Sequence, residues 1–86
     1  MDELVIDEHA YKHGITEEQI IHAWENFVRK QFRQSPREDQ VVAVGYDKQG
    51  KMIQLVGVTK PFGTLIYHAM EPPTMNVLIE LGLARR

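Results

Sequence analysis

Three β-rich segments in the second half of the chain, separated by very short links, constrain the fold more than any other feature. Residues 41–46, 52–59 and 64–70 are rich in β-branched and aromatic side chains, which favour extended strands. The links at 47–50 and 60–63 each contain a glycine, and strands joined so closely pair antiparallel. The sequence therefore predicts an antiparallel meander over this half of the chain.

The first half of the chain carries helical signals. Thr16 is followed three positions later by Gln19, a capping-box pattern that predicts the start of a helix. Apolar residues then recur at spacings of three and four, which predicts one core-facing stripe: Ile20, Ala23, Trp24, Phe27 and Val28. Upstream, residues 7–13 predict a second, shorter helix that ends at Gly14.

Two further segments complete the predicted secondary structure. Residues 27–34 fit either a continuation of the helix or an edge strand, and the alternation of apolar and polar residues favours the strand. Thr74 is placed to cap a short C-terminal helix that ends at Gly82. Its core-facing residues are predicted to be Met75, Leu78, Ile79 and Leu81.

Together these elements predict one α+β domain spanning residues 1–86. Two N-terminal helices would pack on an antiparallel sheet of three or four strands, and a short C-terminal helix would follow. A chain of 86 residues has room for one hydrophobic core. It contains no cysteine, so disulfides and thiolate metal ligands are excluded and stability must come from packing.

Charge is distributed unevenly along the chain. Residues 1–28 hold seven acidic side chains against one basic side chain, whereas residues 29–60 hold seven basic against three acidic. This segregation predicts that a polyanion would meet the strands rather than the helices. The longest apolar runs fall far short of the roughly 20 residues that cross a bilayer, and the N-terminus is acidic. We therefore expect a cytoplasmic protein without membrane contact.

The sequence predicts no cofactor and no metal site. The glycines are dispersed, so no phosphate-binding loop is present. His9 and His13 are four residues apart and would share one face of a helix, but a zinc site needs a third protein ligand that this pattern lacks. Any chemistry would then rest on side chains alone.

A histidine among arginines and lysines, without paired carboxylates or metal ligands, is the set that metal-independent RNA cleavage requires. A base activates the 2′-hydroxyl, cations stabilise the charge that develops on phosphorus, and an acid protonates the leaving 5′-oxygen. The same cations position phosphates in proteins that do no chemistry. A non-catalytic RNA- or protein-binding module is therefore the alternative hypothesis.

His68, in the third β-rich segment, is either a structural histidine or a general acid or base, because imidazole titrates near neutral pH. We predict that Arg33 and Lys51 are its catalytic partners, and that a wider set contacts RNA: Arg29, Arg37, Lys48 and Lys60. Tyr67 should face the opposite side of a regular strand, so only one of the rings of Tyr67 and His68 could line a given site.

Four short motifs occur in an order that resembles the BrnT-like toxin family: KHGITEE at 12–18, AWEN at 23–26, GYDKQG at 45–50 and IYHAM at 66–70. The resemblance covers residues 9–70. It implies a RelE-type fold, in which helices pack on an antiparallel sheet, and a ribonuclease from a bacterial toxin-antitoxin pair. RNA is then the implied substrate and a cognate antitoxin the implied partner.

One position departs from the family pattern. The family commonly ends its last strand with an Ala-Arg pair, whereas this chain has Ala69 and Met70, so a basic residue near the implied active site is missing. Either His68 takes over that role or the domain only binds. A third hypothesis is a partner-dependent structural protein that uses the acidic helical face. Apolar residues near the C-terminus would then form a homodimer or partner surface rather than core: Val77, Leu78, Leu81 and Leu83.

Overall fold

The computed structural model describes residues 3–33, 36 and 39–85. In this part of the chain, five strands form one mixed sheet with a helix on each face. The elements are β1 (Glu3–Ile6), a 3₁₀ helix (Glu8–Tyr11), α1 (Glu17–Glu25), β2 (Phe27–Phe32), β3 (Gln40–Tyr46), β4 (Met52–Lys60), β5 (Gly63–Met70) and α2 (Met75–Glu80).

The predicted fold class is wrong in its N-terminal half. The strand order is β1-β5-β4-β3-β2, and β1 pairs parallel with β5, so the sheet is not a pure antiparallel meander. The region expected to form a first helix contains only the four-residue 3₁₀ helix. Before β2, α1 is thus the one α-helix among the described residues, instead of the two that were predicted.

The pairing of β1 with β5 depends on a close approach of two backbones. Gly63 lies opposite Glu3, and a Cβ atom on Gly63 would overlap the backbone of Glu3. A strand of only four residues gives little periodicity, and its partner lies far away in sequence. The pattern of residues 3–6 alone therefore did not predict this strand.

Helix α1 begins where the sequence predicted. Thr16 Oγ1 accepts a hydrogen bond from the Gln19 backbone N–H at 3.2 Å, and Gln19 Oε1 accepts one from the Thr16 backbone N–H at 2.9 Å, which completes the capping box. The helix buries Ile20 and Ala23 completely, and Trp24 packs half-buried at the edge. This helix-side core also contains Ala10, Ile15, Ala43, Ile53, Leu55, Ile66 and Ala69.

The four strands β2 to β5 lie close to their predicted positions and pair antiparallel in sequence order. Gly50 adopts a φ of 82° in the β3–β4 hairpin, as its place at the end of the loop predicted. Strand β2 is an edge strand whose six residues are all exposed. Arg29 and Lys30 lie at its centre, and cations there disfavour pairing with another strand.

Helix α2 covers the other face of the sheet. Thr74 Oγ1 accepts from the Val77 backbone N–H at 3.3 Å, which confirms the predicted cap. Val77 and Leu81 are buried against three valines of the sheet: Val42, Val44 and Val56. These two residues belong to a core rather than to an exposed apolar patch. Met75 was predicted to face the core but is 59% exposed.

Asp47 ties the β3–β4 hairpin to α1. The carboxylate is buried and accepts hydrogen bonds from the backbone N–H groups of Lys51 (2.8 Å) and Gln49 (2.9 Å) and from Gln19 Nε2 (3.2 Å). The pKa of Asp47 is lowered, chiefly by the hydrogen bond from the Lys51 backbone, and the other hydrogen bonds act in the same direction against the effect of burial. The folded state therefore favours the ionised form.

Replacing Asp47 with alanine is expected to lower the Tm at pH 7 by about 5 °C, because three donors lose their acceptor. A carboxyl whose pKa is lower in the folded chain stabilises the fold above its unfolded pKa of about 3.9 and loses this effect as the pH falls through the folded pKa. The Tm difference between wild type and variant should thus narrow below about pH 4. Thermal melts between pH 3 and 7 measure it, and a constant difference would contradict this role.

Candidate functional site

A bulge in β5 places Tyr67 and His68 on the same face of the sheet. Val56 of β4 lies opposite His68, and the next residue of β4, Gly57, lies opposite Ile66, so Tyr67 is the extra residue. Tyr67 packs against the core under α2, to which Val56 also belongs. The prediction that the two rings face opposite sides is wrong, because it assumed a regular strand.

His68 has two side-chain neighbours that define a candidate site. Its Nε2 lies 3.1 Å from Gln54 Nε2, and its ring lies edge-to-face on the ring of His13, with 5.5 Å between the centroids and 73° between the planes. The pKa of His68 is lowered, mainly by burial and further by the positive potential of His13, His9 and Arg33. The half-buried imidazole is therefore biased toward its neutral form.

The approach of His13 to His68 follows from the parallel strand. Strand β1 ends level with Ile66, and the Asp7 backbone N–H then donates to the Ile66 carbonyl at 2.8 Å. The 3₁₀ helix that follows packs against β5. The sequence contains no local signal for this pairing, since residues 13 and 68 meet only through a strand that was not predicted.

Arg33 and Arg29 anchor α2 to the sheet. The guanidinium of Arg33 makes a two-pronged pair with Glu80, at 3.1 Å from Nε and 3.3 Å from Nη2. Its Nη1 donates to Gln40 Oε1 at 3.1 Å, and Gln40 Nε2 in turn donates to the Tyr67 hydroxyl at 2.9 Å. Arg29 Nη1 donates to the Leu81 carbonyl at 3.2 Å. Two donors of Arg33 and one of Arg29 thus hold the α2 segment against the sheet.

Arg33 acts on His68 through space rather than by contact. Three strand spacings separate β2 from β5, which is roughly 14 Å between their backbones. The side chain of Arg33 bridges part of this distance and contributes to the lowered pKa of His68. The predicted pair of His68 and Arg33 is therefore found on one face of the sheet, without a direct hydrogen bond between the described atoms.

Comparison with protein-family models, with curated proteins and with solved structures finds no match for this chain. The resemblance to the BrnT-like toxins therefore stays a prediction from four short motifs. No helix in the described ranges is long and apolar enough to cross a membrane. Within the same ranges, no three His, Asp or Glu side chains are grouped in a way that could hold a metal ion.

The predicted Lys51 and Lys48 pair with carboxylates, and no described side-chain hydrogen bond or ion pair joins them to His68. Lys51 Nζ is 3.8 Å from Glu71, and Lys48 Nζ is 3.1 Å from Glu18 in a pair that is mostly exposed. Exposed pairs of this kind contribute only about 0.2–1 kcal/mol, so both lysines can exchange their partners readily. Arg37, also predicted to contact RNA, lies outside the described residues.

Lys60 lies in a different place again. It lines an open groove of about 520 Å³ together with Trp24 and Phe32, and the ring of Phe32 is 59% exposed. Lys30 also lines this groove, and its ammonium lies 4.5 Å above the Trp24 ring and 4.4 Å from that of Phe27. The groove is separate from the residues that surround His68.

The structure thus brings together only part of the predicted set. Arg33 and Tyr67 share a face with His68, whereas Lys48 and Lys51 pair with carboxylates and Lys60 lines a separate groove. Three further members were not singled out from the sequence: Gln40, Gln54 and Glu80. His13 was considered there only with His9 as a metal ligand, not as a neighbour of His68. Glutamine has no titratable group and so gives little indication of function before its contacts are known.

Proposed function

We propose that this chain is a toxin-like endoribonuclease that cleaves RNA without a metal ion, as one member of a bacterial toxin-antitoxin pair in the cytoplasm. One observation carries the proposal. Two imidazoles, those of His68 and His13, lie 5.5 Å apart beside β5, beyond the last residue that pairs with β1. An imidazole that is neutral at physiological pH is suited to proton transfer from a ribose hydroxyl.

The surrounding charges support this assignment. His68 is half-buried and biased toward the neutral form, and Arg33 adds positive potential that would stabilise the charge developing on phosphorus. In the proposal Lys51 turns from Glu71 to a phosphate when RNA binds, because their ion pair is long and the lysine is 57% exposed. Arg29, Lys48 and Lys60 would contact the RNA strand farther from the scissile bond.

The second candidate is a non-catalytic module that is related to such toxins and binds RNA or an antitoxin. The arrangement of the arginines favours it, because described donors of Arg29 and Arg33 are already bound to Leu81 and Glu80 of the α2 segment. Cations committed to intramolecular partners are less able to stabilise a transition state. The two candidates differ in whether RNA is cut.

Cleavage by the purified wild-type chain tests the proposal. Single-stranded RNA incubated with the protein in EDTA should yield fragments with 2′,3′-cyclic phosphate and 5′-hydroxyl ends, since the 2′-oxygen is the nucleophile. A matched oligonucleotide with 2′-deoxy residues should remain intact. Induced expression in bacteria should arrest growth and deplete transcripts.

Three results would count against a metal-independent ribonuclease that uses the 2′-oxygen. Intact RNA in this assay, together with harmless high expression, would favour the binding module. Cleavage of the 2′-deoxy control would show a different nucleophile. Cleavage that EDTA abolishes would show that a metal ion is required.

A further inference from the structure

Gln54 has a fixed amide orientation. Its Oε1 accepts hydrogen bonds from the Thr74 backbone N–H at 2.8 Å and from the Thr74 hydroxyl at 3.1 Å. A backbone N–H can only donate, so the amide atom that faces it must be the carbonyl oxygen. Gln54 is buried, with a residue exposure of 5%. Its NH₂ group therefore points the other way, toward His68 Nε2 at 3.1 Å.

This orientation determines the tautomer of His68. An amide NH₂ group has no acceptor, so the hydrogen bond requires an unprotonated Nε2 on His68. The ring proton of the neutral imidazole then sits on Nδ1. Protonation at Nε2 would set two donors against each other, and the three cationic or titratable neighbours His9, His13 and Arg33 oppose it as well.

His68 is consequently a poor acceptor of a substrate proton. The Nε2 lone pair that would take the proton already accepts a hydrogen bond from Gln54. Two hydrogen bonds from Thr74 fix the Gln54 side chain in turn. What His68 offers to a ligand is the Nδ1–H donor. A neutral N–H donor suits a phosphate oxygen, whose charge grows during the reaction.

His13 has the opposite properties. The residue is exposed, and no residue in the part of the chain that the structure describes forms a hydrogen bond with its ring. No described residue therefore occupies its ring nitrogens by a hydrogen bond. It also lies within 5.5 Å of the His68 ring, so one phosphodiester could contact both.

We propose that His13 is the imidazole that transfers protons, that His68 acts as a neutral Nδ1–H donor, and that Gln54 is the positioning residue that keeps His68 in this state. The catalytic part rests on the proposed ribonuclease function, whereas the tautomer of His68 does not. His13 takes the proton from the 2′-hydroxyl as the 2′-oxygen bonds to phosphorus. The bond from phosphorus to the 5′-oxygen breaks, and the 5′-oxygen takes a proton from solvent water. His13 then returns its proton to solvent.

The tautomer is measured first, by nuclear magnetic resonance on the ¹⁵N-labelled full chain. Long-range ¹⁵N–¹H correlations of the four histidine rings distinguish the two neutral tautomers from the imidazolium. His68 should show a protonated Nδ1 and an unprotonated Nε2 at pH 7. An Nε2–H tautomer or an imidazolium at pH 7 would overturn the assignment, whatever the activity.

Two glutamine variants provide a matched comparison. In Gln54→Glu a carboxylate replaces the donor, so His68 should move its proton to Nε2 and titrate at higher pH than in the wild type. Gln40→Glu makes the same chemical change on the same face, but Gln40 contacts Arg33 and Tyr67 instead of His68. His68 should keep its Nδ1–H tautomer in Gln40→Glu, because Gln54 still donates to its Nε2. Equal shifts in both variants would mean that Gln54 does not hold the tautomer.

The catalytic part is tested by pH–rate profiles of RNA cleavage. His13→Gln should lower the rate by about 100-fold or more and remove the acid limb, because the proton acceptor is lost. His68→Asn, which retains an N–H donor, should keep more activity than His68→Ala. An unchanged profile in His13→Gln would overturn its role. Absence of cleavage by the wild type would overturn the nuclease function and the role of His13, and the resonance data would still decide the tautomer.

Discussion

Replacing His68 with alanine is expected to lower RNA cleavage by at least about 100-fold while the chain remains folded. The variant removes the Nδ1–H donor of His68 and the contact between the rings of His68 and His13 on which the proposed function rests. It also leaves Gln54 Nε2 without its acceptor, so a loss of about 1 kcal/mol in unfolding free energy should accompany it. Cleavage rates and circular dichroism of the same preparation measure both effects.

The matched control for this variant is His22→Ala. His22 Nδ1 donates to the Tyr46 carbonyl at 2.8 Å, and the side chain lies on α1, away from the contacts of His68. Each variant removes one imidazole and one ring hydrogen bond. Cleavage should be near wild type in His22→Ala. Equal losses in the two variants would point to a general loss of stability, and full activity in His68→Ala would remove His68 from the site.

Replacing Gly45 with alanine is expected to cost at least about 3 kcal/mol of unfolding free energy, a large share of the stability of a small domain. Gly45 lies in β3 directly beneath α1. A Cβ atom there would overlap the carbonyl oxygen of Ala23 and come within 2.8 Å of the carbonyl carbon. Helix α1 would have to move off the sheet and expose Ile20. Urea unfolding measures the loss.

Gly50→Ala is the control that separates steric overlap from backbone strain. Gly50 has a φ of 82°, but no atom lies within 4 Å of the position of an added Cβ. The only destabilisation expected for Gly50→Ala is the cost of a left-handed backbone conformation for alanine, roughly 1–2 kcal/mol. Gly45 does not have a positive φ, so the loss of unfolding free energy in Gly45→Ala comes from steric overlap alone. A Gly45→Ala variant as stable as Gly50→Ala would contradict the close contact between α1 and β3.

Features set by neighbouring residues were predictable from the sequence. The Thr16 capping box, the left-handed Gly50 and the Thr74 cap each depend on side chains within a few positions, so a local pattern was enough to place them. Strand β2 was also recognised, because its alternation extends over six residues.

Features that depend on distant partners were not predictable. The pairing of β1 with β5 joins segments at opposite ends of the chain, and its Gly63 looks like an ordinary turn glycine until Glu3 lies against it. The bulge at Tyr67 puts the rings of Tyr67 and His68 on the same face of the sheet, whereas a regular strand would separate them. One inserted residue does not change the alternation of apolar and polar residues enough to be recognised in the sequence. Salt bridges such as that of Arg33 with Glu80 likewise require the packed fold.

The sequence by itself determined the local elements of this protein. Hydrogen bonds between near neighbours specify the two helix caps, and β-branched side chains with short links specify the antiparallel strands. It also supplied His68 as a candidate for chemistry. Only the tertiary structure decided which groups meet that imidazole. His13 reaches it through a parallel strand and Gln54 through the strand register, and both contacts arise from long-range packing that adjacent residues do not encode.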